Sequence, residues 1–264
     1  MKLYSALFAS ACVLAMAAPA SAQFAGTIGA DYTHVSVHSD SANIWNINGQ
    51  GAFNVPDTGF NVQGNVGYSN LSADSENGNV WRGGGAAFFS DEMFRIGATA
   101  TYSSFEVHDF ASINFTNYGG FAEWFPGMFT LGVKGGGVNI SANAFGLDGN
   151  ANGAYVGGEA VAYVMPDLAL EGTVDYTDFS HGLHETDFTP QVEWMLSEDV
   201  PVSVYGGYTY SSLSASQFSS GNANTFFIGL RFYMDTNGSQ ALIDRQRSGV
   251  VNWGTSFTPL ASAL

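Results

Sequence analysis

The chain has little charge, almost no cysteine, and no long apolar run beyond its first residues. Charged residues make up 11% of its 264, against roughly 25% in an ordinary soluble domain. Its single cysteine, Cys12, lies within the N-terminal apolar stretch. Disulfides therefore cannot brace the rest of the chain, which must hold together by buried area and hydrogen bonding. Bases are scarce: 7 Lys and Arg face 23 Asp and Glu, for a net charge of −16. That excludes nucleic acid as a partner, because phosphate contacts need clustered Lys and Arg. After residue 22 no segment approaches the ~20 apolar residues that a membrane helix needs. Nor is there a Gly-rich nucleotide loop or a Cys/His zinc pattern, so neither cofactor nor metal is expected.

The first residues read as an export signal. Lys2 supplies a positive start, an apolar stretch runs from Leu3 to Ala18, and Ala20-Ser21-Ala22 forms a small-x-small cleavage site. Cleavage is expected after Ala22, with residues 1–22 a signal peptide. The remainder is rich in glycine (33 residues) and aromatics (14%). Low charge, many aromatics and no helical span together suggest a membrane β-barrel, although a soluble sandwich or solenoid shares that composition.

The periodicity is two. In Phe60 to Tyr68, Phe60, Val62, Gly64, Val66 and Tyr68 alternate with Asn61, Gln63, Asn65 and Gly67. One face is apolar and the other polar, which marks a strand. Phe24–Tyr32, Phe94–Tyr102, Leu168–Tyr176 and Val202–Tyr210 repeat the pattern, each ending in Tyr eight residues on. Trp45 to Phe53 and Trp81 to Phe89 carry the same interval in the opposite direction. Eight residues of tilted strand cover roughly 20 Å along a membrane normal, close to the apolar band of an outer-membrane barrel. The end aromatics then stand where interfacial girdles sit.

Connections alternate between short turns such as Pro166-Asp167 and longer small-polar segments: His38–Ala42, Asn70–Gly78, Ser104–Ser112, Ile140–Asn152, Asp178–Glu185 and Ser211–Ala223. Short turns on one side and long loops on the other is the outer-membrane asymmetry. An antiparallel up-and-down all-β barrel of twelve strands over residues 23–234 follows. The sixth and eighth strands are blurred by Gly, which leaves ten or fourteen open.

Outward parity, set from the apolar residues alone, puts Asp31, Arg82, Arg95, Glu123, Lys134, Glu159, Glu171, Asp175, Glu193 and Arg231 on the inward face. A charge facing lipid at the midplane costs about 2–4 kcal/mol, so charges belong inside. These ten are the candidate pore-lining residues. In the last strand Phe226, Ile228, Leu230 and Phe232 alternate with Phe227, Gly229, Arg231 and Tyr233. This resembles the closing strand of Gram-negative outer-membrane β-barrels of the porin-like class. The resemblance covers Gln23 to Met234 in pattern. It implies recognition of that strand by the outer-membrane assembly machinery, a place in the outer membrane beside lipid and lipopolysaccharide, and no enzymatic activity. Porins are often trimers, so a homo-oligomer is compatible. One departure is that residues 235–264 follow the closing strand. They read as a loosely ordered periplasmic extension, or alternatively as a lumen plug. Its Arg245 and Arg247 are placed to meet acidic turns.

Twelve strands enclose an opening on the order of 10 Å if nothing fills it. Small and amide inward residues (Gly67, Gly84, Thr99, Gly132, Ser203, Asn61, Gln63) hold water better than they pack, whereas Phe88, Phe121, Tyr163, Tyr205 and Phe227 narrow the bore. The expected function is passive diffusion of small hydrophilic solutes with a mild cation preference. The alternative is a non-conducting structural or surface barrel whose lumen charges pair and stiffen it.

Two other sites are weighed. His181-x-x-His184-Glu185 has metal-ligand residue types, but loop histidines are usually solvated. His34-Val35-Ser36 with Trp45-Asn46 resembles outer-membrane phospholipase A, in which a His activates a Ser and an Asn orients the His. Here Val37 replaces the residue that follows the Ser in that family. Parity also puts His34 outward and Asn46 inward.

Overall fold

The structure is a computed structural model that describes residues 23–37, 40–73, 76–107, 111–144, 147–180, 182–197, 200–215, 220–235 and 240–251. Residues 1–22, read as a leader and containing Cys12, lie outside these residues, as do His38, His108, His181, Trp253, Phe257 and Leu260.

Twelve antiparallel strands form a closed barrel: β1 (Gln23–Val37), β2 (Asp40–Asn54), β3 (Phe60–Ala73), β4 (Glu76–Ser90), β5 (Phe94–Val107), β6 (Ala111–Trp124), β7 (Phe129–Ala144), β8 (Leu147–Met165), β9 (Leu168–Phe179), β10 (Leu183–Met195), β11 (Val202–Ala215) and β12 (Gly221–Asp235). Each strand pairs with its sequence neighbours. β1 closes the ring on β12, from Ala25 opposite Asp235 to Val37 opposite Ala223. Closure leaves no strand edge unpaired, a requirement in lipid, where no water can satisfy the backbone. The glycine-blurred sixth and eighth strands are both present, so the count is twelve.

The connections differ from expectation. At the loop end the strands run on: β3 reaches Ala73 before β4 starts at Glu76, and β7 reaches Ala144 before β8 starts at Leu147. Most of the residues read as long loops therefore continue the ladders. Beyond the membrane both faces of a hairpin meet water, so alternation disappears from the sequence while the backbone goes on pairing.

Alternate residues divide between two surroundings. Along β1, Ile28 is 48% exposed while its neighbour Thr27 is 3% exposed. Similar side chains all round the ring, among them Ile96, Val133, Val156, Val174 and Ile228, form an apolar outer belt far larger than a soluble monomer displays. The eight-residue aromatic interval becomes contact between strands. Tyr32 lies 4.9 Å from Trp45, Tyr68 4.5 Å from Trp81 and Tyr208 4.9 Å from Phe226, centroid to centroid, at the loop end, while Phe24 meets Phe53 at 5.1 Å at the other.

One further repeat is visible only in three dimensions. Tyr32, Tyr68, Tyr102 and Tyr208 each donate a hydroxyl hydrogen bond to the side chain of Asn43, Asn79, Asn114 and Asn224 on the neighbouring strand. The Asn always stands two residues before the residue paired with the Tyr. The tyrosine ring thus lies in the apolar belt while its hydroxyl is satisfied at the upper edge.

Two inward glycines bring strands close together. A Cβ on Gly136 of β7 would meet Tyr118 O and the Gly119 Cα of β6. One on Gly157 of β8 would meet both Asp175 Oδ1 and Lys134 Cε. That second gap lets an ion pair form across β8.

Candidate functional site in the barrel lumen

All ten charged residues picked out by strand parity lie on the lumen side, where most are held in contacts. Arg95 and Glu123 stand opposite each other on β5 and β6, Nη2 2.5 Å from Oε2, both nearly fully buried. Lys134 reaches over β8 to Asp175 on β9 at 2.8 Å. Glu193, 1% exposed, is a hub. It accepts hydrogen bonds from Arg231 (2.6 Å), Ser203 (2.5 Å), Tyr233 (2.6 Å) and Gln246 (3.1 Å). Asp31 accepts from Asn46 at 2.6 Å and from Tyr205, across the closing seam, at 3.1 Å. Arg82 donates to Asn46 and Ser69. Glu171 accepts from Gln191 at 3.2 Å. Glu159 and Glu171 border a cavity of about 30 Å³ that Arg95, Glu123, Tyr163 and Gln246 also line, room for about two water molecules.

Two further acids point inward. β10 begins at Leu183, so Glu185, at the edge of the expected loop, points inward and is 3% exposed. Asp187 stands opposite Asp175 in register. It shares parity with Glu193, and extending that parity toward the loop end would have found it. Glu185 and His184 face opposite sides of the strand, so the two cannot share a metal ion. His184 instead lies 3.0 Å from Asp178, and no group of three or more ligand side chains gathers among the described residues.

Of the two readings of residues 235–264, a loosely ordered extension or a lumen plug, residues 240–251 take a place inside the barrel. A short helix, α1 (Leu242–Ser248), is anchored to the β8–β9 turn by Leu242 N to Asp167 Oδ1 (3.2 Å) and Ile243 N to Pro166 O (3.1 Å). Leu242 is fully buried in a cluster with Val161, Tyr163, Ala169, Met195 and Tyr233. Val250 and Val251 are buried in another with Ala52, Phe88 and Phe121. Together these side chains belong to β2, β4, β6, β8, β9, β10 and β12, and only a segment inside the barrel can reach them all. Val251 and the Gln63 side chain exchange two hydrogen bonds of 2.7 and 2.8 Å, as two paired backbones would. Arg95 donates to the Gly249 carbonyl at 3.3 Å, and Tyr163 donates to Gln246 at 2.7 Å.

The tail arginines contact aromatic rings and backbone carbonyls. Arg247 lies over the Phe125 and Tyr163 rings at 5.3 and 5.2 Å and donates to Phe129 O, while Arg245 lies over Tyr233 at 5.9 Å. The large inward residues Phe88, Phe121 and Tyr163, which would only have narrowed an empty bore, are the seat of the segment. Ordering each tail residue costs about 1–2 kcal/mol. Each buried aliphatic side chain returns about 1.5–3 kcal/mol and each hydrogen bond about 0.5–1.5 kcal/mol.

No known protein family's sequence profile matches the chain, and no curated protein matches it in sequence. Likeness appears only among solved structures. The β domain of the Bordetella autotransporter BrkA superposes with a TM-score of 0.52 at 11% identity, covering 80% of this chain and 99% of that one. The chain has the fold of a Gram-negative outer-membrane β-barrel. The translocator domain of the autotransporter NalP from Neisseria meningitidis (TM-score 0.49, 10% identity, 88% and 95% covered) and the KdgM porin (0.46, 11%, 77% and 98%) are also similar. At such identities the likeness concerns fold alone. The apolar belt between two aromatic girdles suits this outer-membrane barrel to the membrane its fold implies.

The outer face of the barrel carries a second polar group, at the loop-end girdle. Asn46 points into the lumen, bonded to Asp31 and Arg82, so it cannot orient His34. The neighbour that does is Asn43, register partner of His34. His34 Nδ1 lies 2.8 Å from Asn43 Oδ1, and Ser36 Oγ lies 3.3 Å from His34 Nε2. An amide oxygen only accepts, so Nδ1 carries the proton and Nε2 is free to accept from the serine hydroxyl. Asn43 also belongs to the Tyr–Asn girdle, which accounts for its position without chemistry.

Proposed function

We propose that this outer-membrane barrel is a channel for passive diffusion of small hydrophilic solutes, biased towards cations. The observation that supports it is the lumen: glycine, amide, hydroxyl and charged side chains line it, and acids outnumber bases toward the loop end, where Asp175 and Asp187 stand opposite each other, Glu185 is buried on the same face and Lys134 pairs with Asp175. Fixed charge at close quarters selects ions of opposite sign. Delivery to the membrane would use the leader, and the outward row Phe226, Ile228, Leu230 and Phe232 on β12 would be read by the assembly machinery.

Planar-bilayer recording tests this reading on the full chain and on a chain ended after Asp235. Discrete conductance steps, with a reversal potential of cation sign in a KCl gradient, are expected from at least the shortened chain. Changing Glu185→Gln and Asp187→Asn together should move that potential toward zero. Silence of both chains across many insertions would replace the channel by the non-conducting structural barrel.

A second reading rests on one observation, the Ser36–His34–Asn43 chain on the outer face just beyond the Tyr32 girdle. A base-activated serine there would hydrolyse lipid esters. Purified protein incubated with phospholipid and calcium tests it. Fatty-acid release that Ser36→Ala abolishes would support the reading, and no release removes it.

A further inference from the structure

We infer that residues 240–251 are a displaceable gate, docked from the short-turn side and released into the adjoining aqueous space to open the lumen. This rests on the channel reading.

Four features carry it. First, the segment occupies the bore: it shares buried clusters with side chains from opposite sides of the ring and bonds to Gln63 and Arg95 between them. Any solute path along the axis crosses it. Second, its seat uses groups that would otherwise be solvated lumen lining. Gln63 and Tyr163 each donate a side-chain hydrogen bond to the segment and Glu193 accepts one from it, and each could exchange that bond for water. Third, α1 spans only seven residues and its preceding residue, Ala241, makes no side-chain cap. Helices this short do not persist alone, so α1 is helical because it is seated, and release would melt it rather than swing a rigid rod. Fourth, the segment lies outside the hydrogen-bonded ring of strands. It leaves β12 at Asp235 and is anchored beside the short β8–β9 turn, so release requires no strand to part.

Arg245 and Arg247 go with the segment. The open mouth therefore loses two cations and becomes more cation-selective than the closed one.

The experiment is single-channel recording on three forms: the full chain, the chain ended after Asp235, and an Ala52→Cys/Val251→Cys full chain joined by a short bifunctional maleimide. The only native cysteine, Cys12, lies in the leader, so the pair reacts alone. The full chain should switch between a low and a high level. The shortened chain should hold the high level, at least several-fold above the low one, with a more cation-biased reversal potential. The crosslinked chain should lose the high level, whereas the same double variant left unjoined keeps it. Equal conductance in all three overturns the gate and leaves the channel standing. Silence of the shortened chain, once heat-modifiable gel mobility shows it folded, overturns the channel and the gate with it. Should the shortened chain not fold, a crosslinked full chain that still reaches the high level overturns the gate by itself.

Discussion

Arg231→Met destabilises the barrel by about 3–5 kcal/mol, the usual cost of removing one partner of a buried ion pair. Arg231 lies 2.6 Å from a carboxylate whose side chain is 1% exposed. Methionine keeps most of the volume and strands the charge of Glu193. Hydrogen bonds from Ser203, Tyr233 and Gln246 remain, but three neutral or amide donors do not replace a guanidinium in a dry site. The loss should appear in urea unfolding of the barrel from lipid vesicles, followed by tryptophan fluorescence. Adding Glu193→Gln should recover most of it, because the pair's desolvation cost disappears with its attraction. A double variant as unstable as the single one would show that the hub acts by packing, not charge. Because Gln246 of the docked segment shares this hub, the single variant should also change how often the high-conductance level is visited.

Ile28→Arg costs about 2–4 kcal/mol in the same measurement, while Val200→Arg is close to neutral. The two positions are nearly equal by exposure, 48% and 51%, so a barrel standing in water would tolerate both alike. In a membrane they differ sharply. Ile28 lies on β1 midway between Phe24 and Tyr32, the residues that mark the two girdles. Val200 lies in the turn between β10 and β11, where an arginine reaches water. Equal effects at the two sites would refute the assignment of the outer belt to lipid.

These two expectations address different surfaces of one sheet, and the contrast carries the functional argument. The outer face is specified by the membrane. The inner face is a charged and polar lining that residues 240–251 occupy at one end. A structural barrel would gain from such filling, and a channel would gain a means of closing. Conductance of the shortened chain separates the two.

Much of this was legible in the sequence because a bilayer imposes a rule on each residue. Every strand residue faces either lipid or lumen, so Phe60, Val62, Val66 and Tyr68 announce their face one at a time, and the strand count follows from adding such segments. Glycine blurred β6 and β8, yet the remaining alternation placed them. The sequence by itself thus determined a closed antiparallel barrel and which positions of each strand look outward, and the structure set its count at twelve among ten, twelve and fourteen. Tertiary structure alone decided three other matters. It decided where the strands end, because above the membrane both faces are wet and Glu185 can be strand without alternation to reveal it. Which Asn meets His34 was likewise settled there: parity removes Asn46 from that face, but only the register of β1 on β2 sets Asn43 opposite His34. Above all, it decided that the tail enters the lumen. That outcome depends on the space left by Phe88, Phe121, Tyr163 and Tyr233 across the whole ring, a sum over distant strands that no local pattern along residues 240–251 records.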